Sequence, residues 1–185
     1  MKRLFVVIAT LLMAAVMMTA QDGARKYGVK SGTAKVETEM MGQKVEITSW
    51  FDNYGSLEAT LTKMGGMEAT TISKDGKSWM VNPAMKMVQE VPAQQEQVNF
   101  MNLTDEIIAK YKIKEIGKET VAGKECVQYS LEVEQMGQTV KMKVSVWKGY
   151  SMKSVSSVMG MDITATVTEF TECDVDPSHF EIPVF

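Results

Sequence analysis

The chain has 185 residues, 45% of them hydrophobic, with 20 basic and 23 acidic side chains for a net charge of −3. That length suits one domain able to bury a real core. The charge balance leaves no basic excess to displace counterions from a nucleic acid or to grip an anionic membrane surface, so both partners are set aside.

The first twenty residues form a unit of their own. Lys2 and Arg3 precede a run, Leu4 to Met18, that is apolar apart from Thr10, and Ala20 stands ahead of Gln21. This is the layout of a secretory signal peptide, 1–20, cleaved near Gln21. The run is shorter than the roughly 20 residues a membrane span needs. The expected mature domain is 21–185, periplasmic or secreted, with 18 basic against 23 acidic residues once Lys2 and Arg3 are removed. No later stretch reads as a transmembrane segment. In an oxidising compartment Cys126 and Cys173 are expected to form a disulfide, with free thiols or a soft-metal pair as the other readings.

Period-two alternation with Gly-containing turns dominates the remainder of the chain. A turn at Met41-Gly42 sets Glu39 against Lys44 and Val36 against Ile47. One at Gly65-Gly66 sets Lys63 against Glu68 and Met64 against Met67. Asp75-Gly76, a strong short hairpin signal, sets Ile72 against Trp79. From Val91 to Asn102 alternation stops, and Thr104 to Tyr111 reads as a short helix capped by Thr104 or Asn102. Acids occupy its first turn, and Leu103, Ile107, Ile108 and Tyr111 share a face.

The clearest hairpin is Lys124 to Lys148. A turn at Met136-Gly137 pairs Val133 with Val140, Leu131 with Met142, Tyr129 with Val144 and Val127 with Val146, while Glu132 meets Lys141 on the other face. A one-residue slip would oppose apolar and polar stripes, so the register is well specified. The same register sets Trp147 opposite Cys126. A turn at Met159-Gly160 pairs Val158 with Met161 and Met152 with Val167. Pro177, Phe180 and Pro183 suit an edge segment closing the domain. Glu39-Met40-Met41-Gly42-Gln43 and Glu134-Gln135-Met136-Gly137-Gln138 stand 95 residues apart, which fits either an old duplication or convergence of hairpins on similar turns.

The stretch Lys74-Asp75-Gly76-Lys77-Ser78-Trp79 followed by Asn82-Pro83 resembles the bacterial outer-membrane lipoprotein carrier superfamily, LolA, LolB and their relatives. Gly117 to Tyr129 and the terminal Pro177-Ser178-His179-Phe180 are similar to exported relatives of that group. The resemblance implies a strongly curved antiparallel sheet, an unclosed half-barrel, covered by helices over a cavity for acyl chains. The sequence departs from the carriers in having a single short helix where they have a fuller lid. Beyond Arg25 there is also no arginine in the mature chain to gate one.

Chemistry is sparse. His179 is the lone histidine, with no nucleophile set beside it by sequence, and no Walker loop, dinucleotide fingerprint or zinc-ligand spacing occurs. No enzyme activity, cofactor or metal is therefore expected. Methionine is abundant, and three readings stay open: core filler, adaptable apolar lining, or thioether ligands for Cu(I).

The expectation is thus a mainly β domain, a curved antiparallel sheet packed with one short helix. It binds an apolar ligand, a lipid or an acylated peptide or protein, through Met80, Ile107, Ile108, Tyr111, Leu131, Met142 and Val144. The alternatives are a Met-based Cu(I) binder and an envelope protein-interaction module.

Overall fold

The structure, a computed structural model, describes residues 25–40, 43–91, 98–135, 138–158 and 161–185. The signal stretch 1–20 and the turn residues at 41–42, 136–137 and 159–160 lie outside them. The first six strands are Gly32–Met40 (β1), Gln43–Asp52 (β2), Leu57–Met64 (β3), Met67–Lys74 (β4), Lys77–Asn82 (β5) and Met87–Val91 (β6). The other five are Lys114–Val121 (β7), Lys124–Gln135 (β8), Gln138–Trp147 (β9), Tyr150–Val158 (β10) and Met161–Glu172 (β11). One helix, Asp105–Tyr111 (α1), lies between β6 and β7.

All eleven strands join one antiparallel sheet in the order β6-β5-β4-β3-β2-β1-β11-β10-β9-β8-β7. Two meanders meet where β1 pairs with β11, and among the described residues β6 and β7 are the edges of the sheet. The sheet is therefore an unclosed half-barrel, as the resemblance implied. No helix among the described residues is long and apolar enough to cross a membrane.

The hairpin registers are those read from alternation. Val133 meets Val140, Leu131 meets Met142, Tyr129 meets Val144 and Glu132 meets Lys141. Glu39 faces Lys44, Met64 faces Met67, and Ile72 faces Trp79. The β10–β11 ladder departs from expectation, ending at Lys153–Thr166, one pair short of Met152–Val167. Met152 is instead a one-residue bulge against β9, and Thr168 and Ile116 are bulges in β11 and β7. Bulges add local twist, and here all three fall in the second meander.

Rows of side chains along the ladder define an inner face. One row runs Leu131, Met142, Ser156, Ile163. Another runs Tyr129, Val144, Ser154, Ala165, Thr38, Val45, Met64, Met67. A core of Val36, Val45, Ile47, Phe51, Met152 and Val167 fills this face. The C-terminal segment lies on the opposite face, where Phe180 packs with Ala59, Ile72 and Val81. It forms a short turn over β3 and β4 rather than an edge.

One end of the inner face is stoppered by the N-terminal segment. The amides of Lys26 and Tyr27 both donate to the Tyr54 carbonyl, and Gly28 N donates to Lys148 O. Gly55 and Gly149 let the segment through. Both have positive φ, and a Cβ would sit 2.7 Å from the Tyr27 ring or 2.5 Å from the Lys26 carbonyl oxygen. Tyr27 then packs against Phe51 and Tyr150, each at 5.0 Å between ring centroids.

Candidate functional site

Helix α1 begins where Thr104 Oγ1 accepts a hydrogen bond from Ile107 N, with Asp105 and Glu106 in the first turn, and ends at Lys112 in left-handed geometry. Its approach and exit, Val98, Phe100, Leu103 and Ile113, and its residues Ile107 and Tyr111 lie against Tyr129, Leu131, Val133, Met142, Val144 and Val146 of β8 and β9. Five of the seven residues expected to bind ligand, namely Ile107, Tyr111, Leu131, Met142 and Val144, thus meet in one apolar cluster. Ile108 is 36% exposed, on the helix's outer side. Met80 sits on β5, opposite Thr71 and Gln89, outside that cluster. No residue of α1 is fully buried, so the cover is thin.

The inner face changes character along the sheet. Under α1 it is apolar. Over β2–β5 it carries a row of hydroxyls, Ser49 beside Thr60 beside Thr71, and a second row where Ser73 and Ser78 hydrogen-bond at 2.7 Å. Ser49, Thr60, Thr71 and Ser78 are all buried. Three buried oxygens, Thr38 Oγ1 on β1, Ser49 Oγ on β2 and Tyr150 OH on β10, make no hydrogen bond among the described residues. Burial pushes the Tyr150 phenol well up. The Ser49 hydroxyl lies near enough to pull it down a little, without reaching hydrogen-bond geometry. An unpaired buried hydroxyl costs about 1–3 kcal/mol. Sequence reading gave no face to these Ser and Thr residues, whose small polar side chains fit either side of a strand. Ser49 and Thr38 nevertheless share strand parity with Ile47 and Val36.

The stopper holds the only ion pair among those of the described residues with a nearly fully buried cation. The Lys26 ammonium, 1% exposed, meets the Glu58 carboxylate, which also accepts from the Tyr27 hydroxyl. Burial pushes the lysine down against the pull of Glu58, and burial with Glu58 pushes Tyr27 up. Glu119 on β7 is held below its usual range. Burial opposes this, but hydrogen bonds from Ser145, from Lys153 at 3.0 Å and from Gln128 at 2.9 Å outweigh it, with the Lys153 charge adding.

The expected disulfide is not formed: Cys126 and Cys173 are both free. Cys126 is fixed inside β8, opposite Glu119, buried in the core with its thiol toward the Lys124 carbonyl at 3.3 Å. Cys173 follows the end of β11 and is half-buried. Trp147 packs edge-on against Phe170 at 5.3 Å. His179 stacks on Trp50 at 4.2 Å. Among the described residues no group of three His, Cys, Asp or Glu could hold a metal ion.

No protein-family model matches the chain, and no curated protein sequence does. Solved structures do. An uncharacterized conserved protein from Thermus thermophilus aligns over 96% of this chain and 94% of its own, with a TM-score of 0.59 at 11% identity. A chain of the Pseudomonas aeruginosa MucA/MucB complex aligns over 83% of this chain, TM-score 0.58, 16% identical, and a structure of MucB over 95%, TM-score 0.52, 14% identical. This chain spans 56% and 62% of those two proteins. At these identities the likeness is one of fold: the half-barrel is shared.

Proposed function

We propose that the chain binds the hydrocarbon part of a lipid or an acylated peptide, without catalysis, between α1 and the β8–β9 hairpin. The observation that carries this is the two-sided apolar cluster. A large apolar surface on the sheet is covered by a helix that buries none of its own residues completely. Little packing holds such a cover down, so it can be displaced by a chain that offers the same contacts. Ile107, Tyr111, Leu131, Met142 and Val144 are the contacts, with Met80 further along the inner face and Ile108 at the outer edge of the helix. The N-terminal stretch, with its positive start and apolar run, supports action in the periplasm or outside the cell.

Titration with a fluorescent fatty acid tests the reading. Wild-type protein should bind it, and Ile107→Asp, which sets a charge against the cluster, should weaken binding tenfold or more while remaining folded. Met142→Leu keeps the volume and should bind nearly as well. Absence of probe binding by folded wild type would end the proposal. Tight Cu(I) uptake in its place, lost on replacing Met85 and Met87 with leucine, would favour the thioether reading.

A further inference from the structure

Because paired strands run antiparallel, the connections between them gather at two ends of the half-barrel. At one end lie Asn53 to Ser56, Asp75-Gly76, Ala122-Gly123 and Lys148-Gly149, and this is the end stoppered by Lys26 and Tyr27. None of these connections holds a methionine. At the other end the ladders close on Met40–Gln43, Met64–Met67, Asn82–Met87, Gln135–Gln138 and Val158–Met161. Met85 lies in the short turn between β5 and β6. Met40, Met64, Met67, Met85, Met87 and Met161 therefore stand at one end of the sheet, on separate connections. Two of them are among the exposed large apolar side chains of the molecule: Met67 is 48% exposed and Met85 63%. Their elements touch, β4 against the turn after β5. The lysines of β2 and β3 at this end are answered by carboxylates, Lys44 by Glu37 at 3.0 Å and Lys63 by Glu68 at 2.8 Å.

We propose that this methionine-bearing end rests on the surface of a lipid bilayer of no net charge. Met67 and Met85, with Met64 and Met87 beside them, enter the layer between headgroups and acyl chains. Exposed apolar side chains grouped in this way mark a contact surface for a protein or a membrane, and the observations favour the membrane. From the β5–β6 connection to the β10–β11 connection the sheet advances six strand spacings, about 29 Å. Side chains spread so far apart meet a broad fluid surface more readily than one fitted pocket. Methionine is unbranched and adaptable, and can lie among acyl chains without a shaped partner. Paired charges of both signs offer little to an anionic lipid, so the contact depends on apolar area instead. The inference rests on the hydrocarbon-ligand reading for its cargo alone, and says where that cargo is collected or released. Helix α1 extends toward the same end, where Lys112 pairs with Glu132 near the close of β8.

Flotation of the exported protein with vesicles of phosphatidylcholine tests this. Wild type should float with the vesicles, and the Met67→Lys, Met85→Lys double variant should lose about fivefold or more in bound fraction at equal lipid. Met67→Leu with Met85→Leu should float as wild type does. Met101→Lys makes the same change at a methionine of 46% exposure beside Gly28 and Gly149, at the stoppered end, and should leave flotation unchanged. An unchanged urea midpoint checks that the lysine variants fold; if the double variant is weakened, Met85→Lys alone should still reduce flotation. Wild type that does not float, an equal loss in Met101→Lys, or flotation that requires anionic lipid overturns the proposal. Binding of the fluorescent fatty acid by protein that does not float would leave the hydrocarbon-ligand reading standing. Flotation without binding of that probe would end the ligand reading and keep the bilayer contact.

Discussion

The two four-strand units of this sheet, β1–β4 and β8–β11, are both antiparallel meanders of consecutive hairpins, yet they line the inner face differently. In the second unit Val133, Val140, Met142 and Val144 make a continuous apolar wall that a helix covers. In the first, Thr38 and Ser49 interrupt that wall, Thr60 and Thr71 extend the interruption across the sheet, and a buried ion pair closes the end. One backbone plan therefore tolerates two linings, and the difference lies in side chains that add nothing to strand propensity. What a strand requires is a branched or bulky residue on a half-buried pleat, and Thr and Val meet that requirement alike. Where they differ is in the hydrogen bond each offers or leaves unmade.

The largest way to break the comparison is at the stopper. Glu58→Ala leaves the Lys26 ammonium buried without its carboxylate and should cost about 3–5 kcal/mol, read from urea unfolding. A loss under 1 kcal/mol would mean that Lys26 reaches solvent when unpaired, and that the stopper is no rigid part of the first unit. Next comes an exchange of linings. Val144→Thr places a hydroxyl in the apolar wall and should destabilise by about 1–3 kcal/mol. Thr38→Val, the reverse change in the other unit, should be neutral or stabilising. If both changes destabilise equally, the Thr38 hydroxyl has a partner in solution and the contrast between the units weakens.

The smallest expected effect concerns pH. Glu119 has a folded-state pKa below its unfolded value, so its contribution is complete above the unfolded pKa of about 4.3 and is lost as pH falls through the lower folded value. Glu119→Gln should therefore flatten the acid limb of the stability profile below about pH 4.3 and lower stability modestly at neutral pH. An acid limb of unchanged slope in the variant would assign that loss to other carboxylates.

Much of this architecture was legible because hairpins are local. Alternation around Met136-Gly137 or Gly65-Gly66 fixes which residue faces which, since the alternative register would oppose unlike stripes. The helix, too, announces itself through Thr104 and the acids that follow it. What alternation cannot convey is pairing across the length of the chain. The meeting of β1 with β11 leaves no mark on either strand, nor do the bulges at Thr168 in that ladder and at Met152 in the β10–β9 ladder. The cysteines were misread for a related reason: compartment argues for a bridge, while distance is set by strands whose placement the sequence did not reveal. Lys26 and Tyr27 carried no signal at all, because a short irregular segment becomes part of the core only when the turns around Tyr54 and Gly149 arrive beside it. Of the site, the apolar half was visible as helix face and hairpin stripe. The hydroxyls buried on β1 to β5 carried no such signal, because Ser and Thr fit a half-buried strand face as readily as an exposed one.

The seam between β1 and β11 also sets a schedule. Val36 and Val167 are partners, and 130 residues of chain lie between them. Each hairpin can close over a handful of residues, but this junction must wait for the final strand to be made and, if the chain is exported as proposed, delivered. Until then β1 keeps one side of its backbone unpaired and the two meanders are separate objects. A protein arranged in this way is prevented from completing its half-barrel early, a useful property for any chain that has to be threaded through a membrane before it folds.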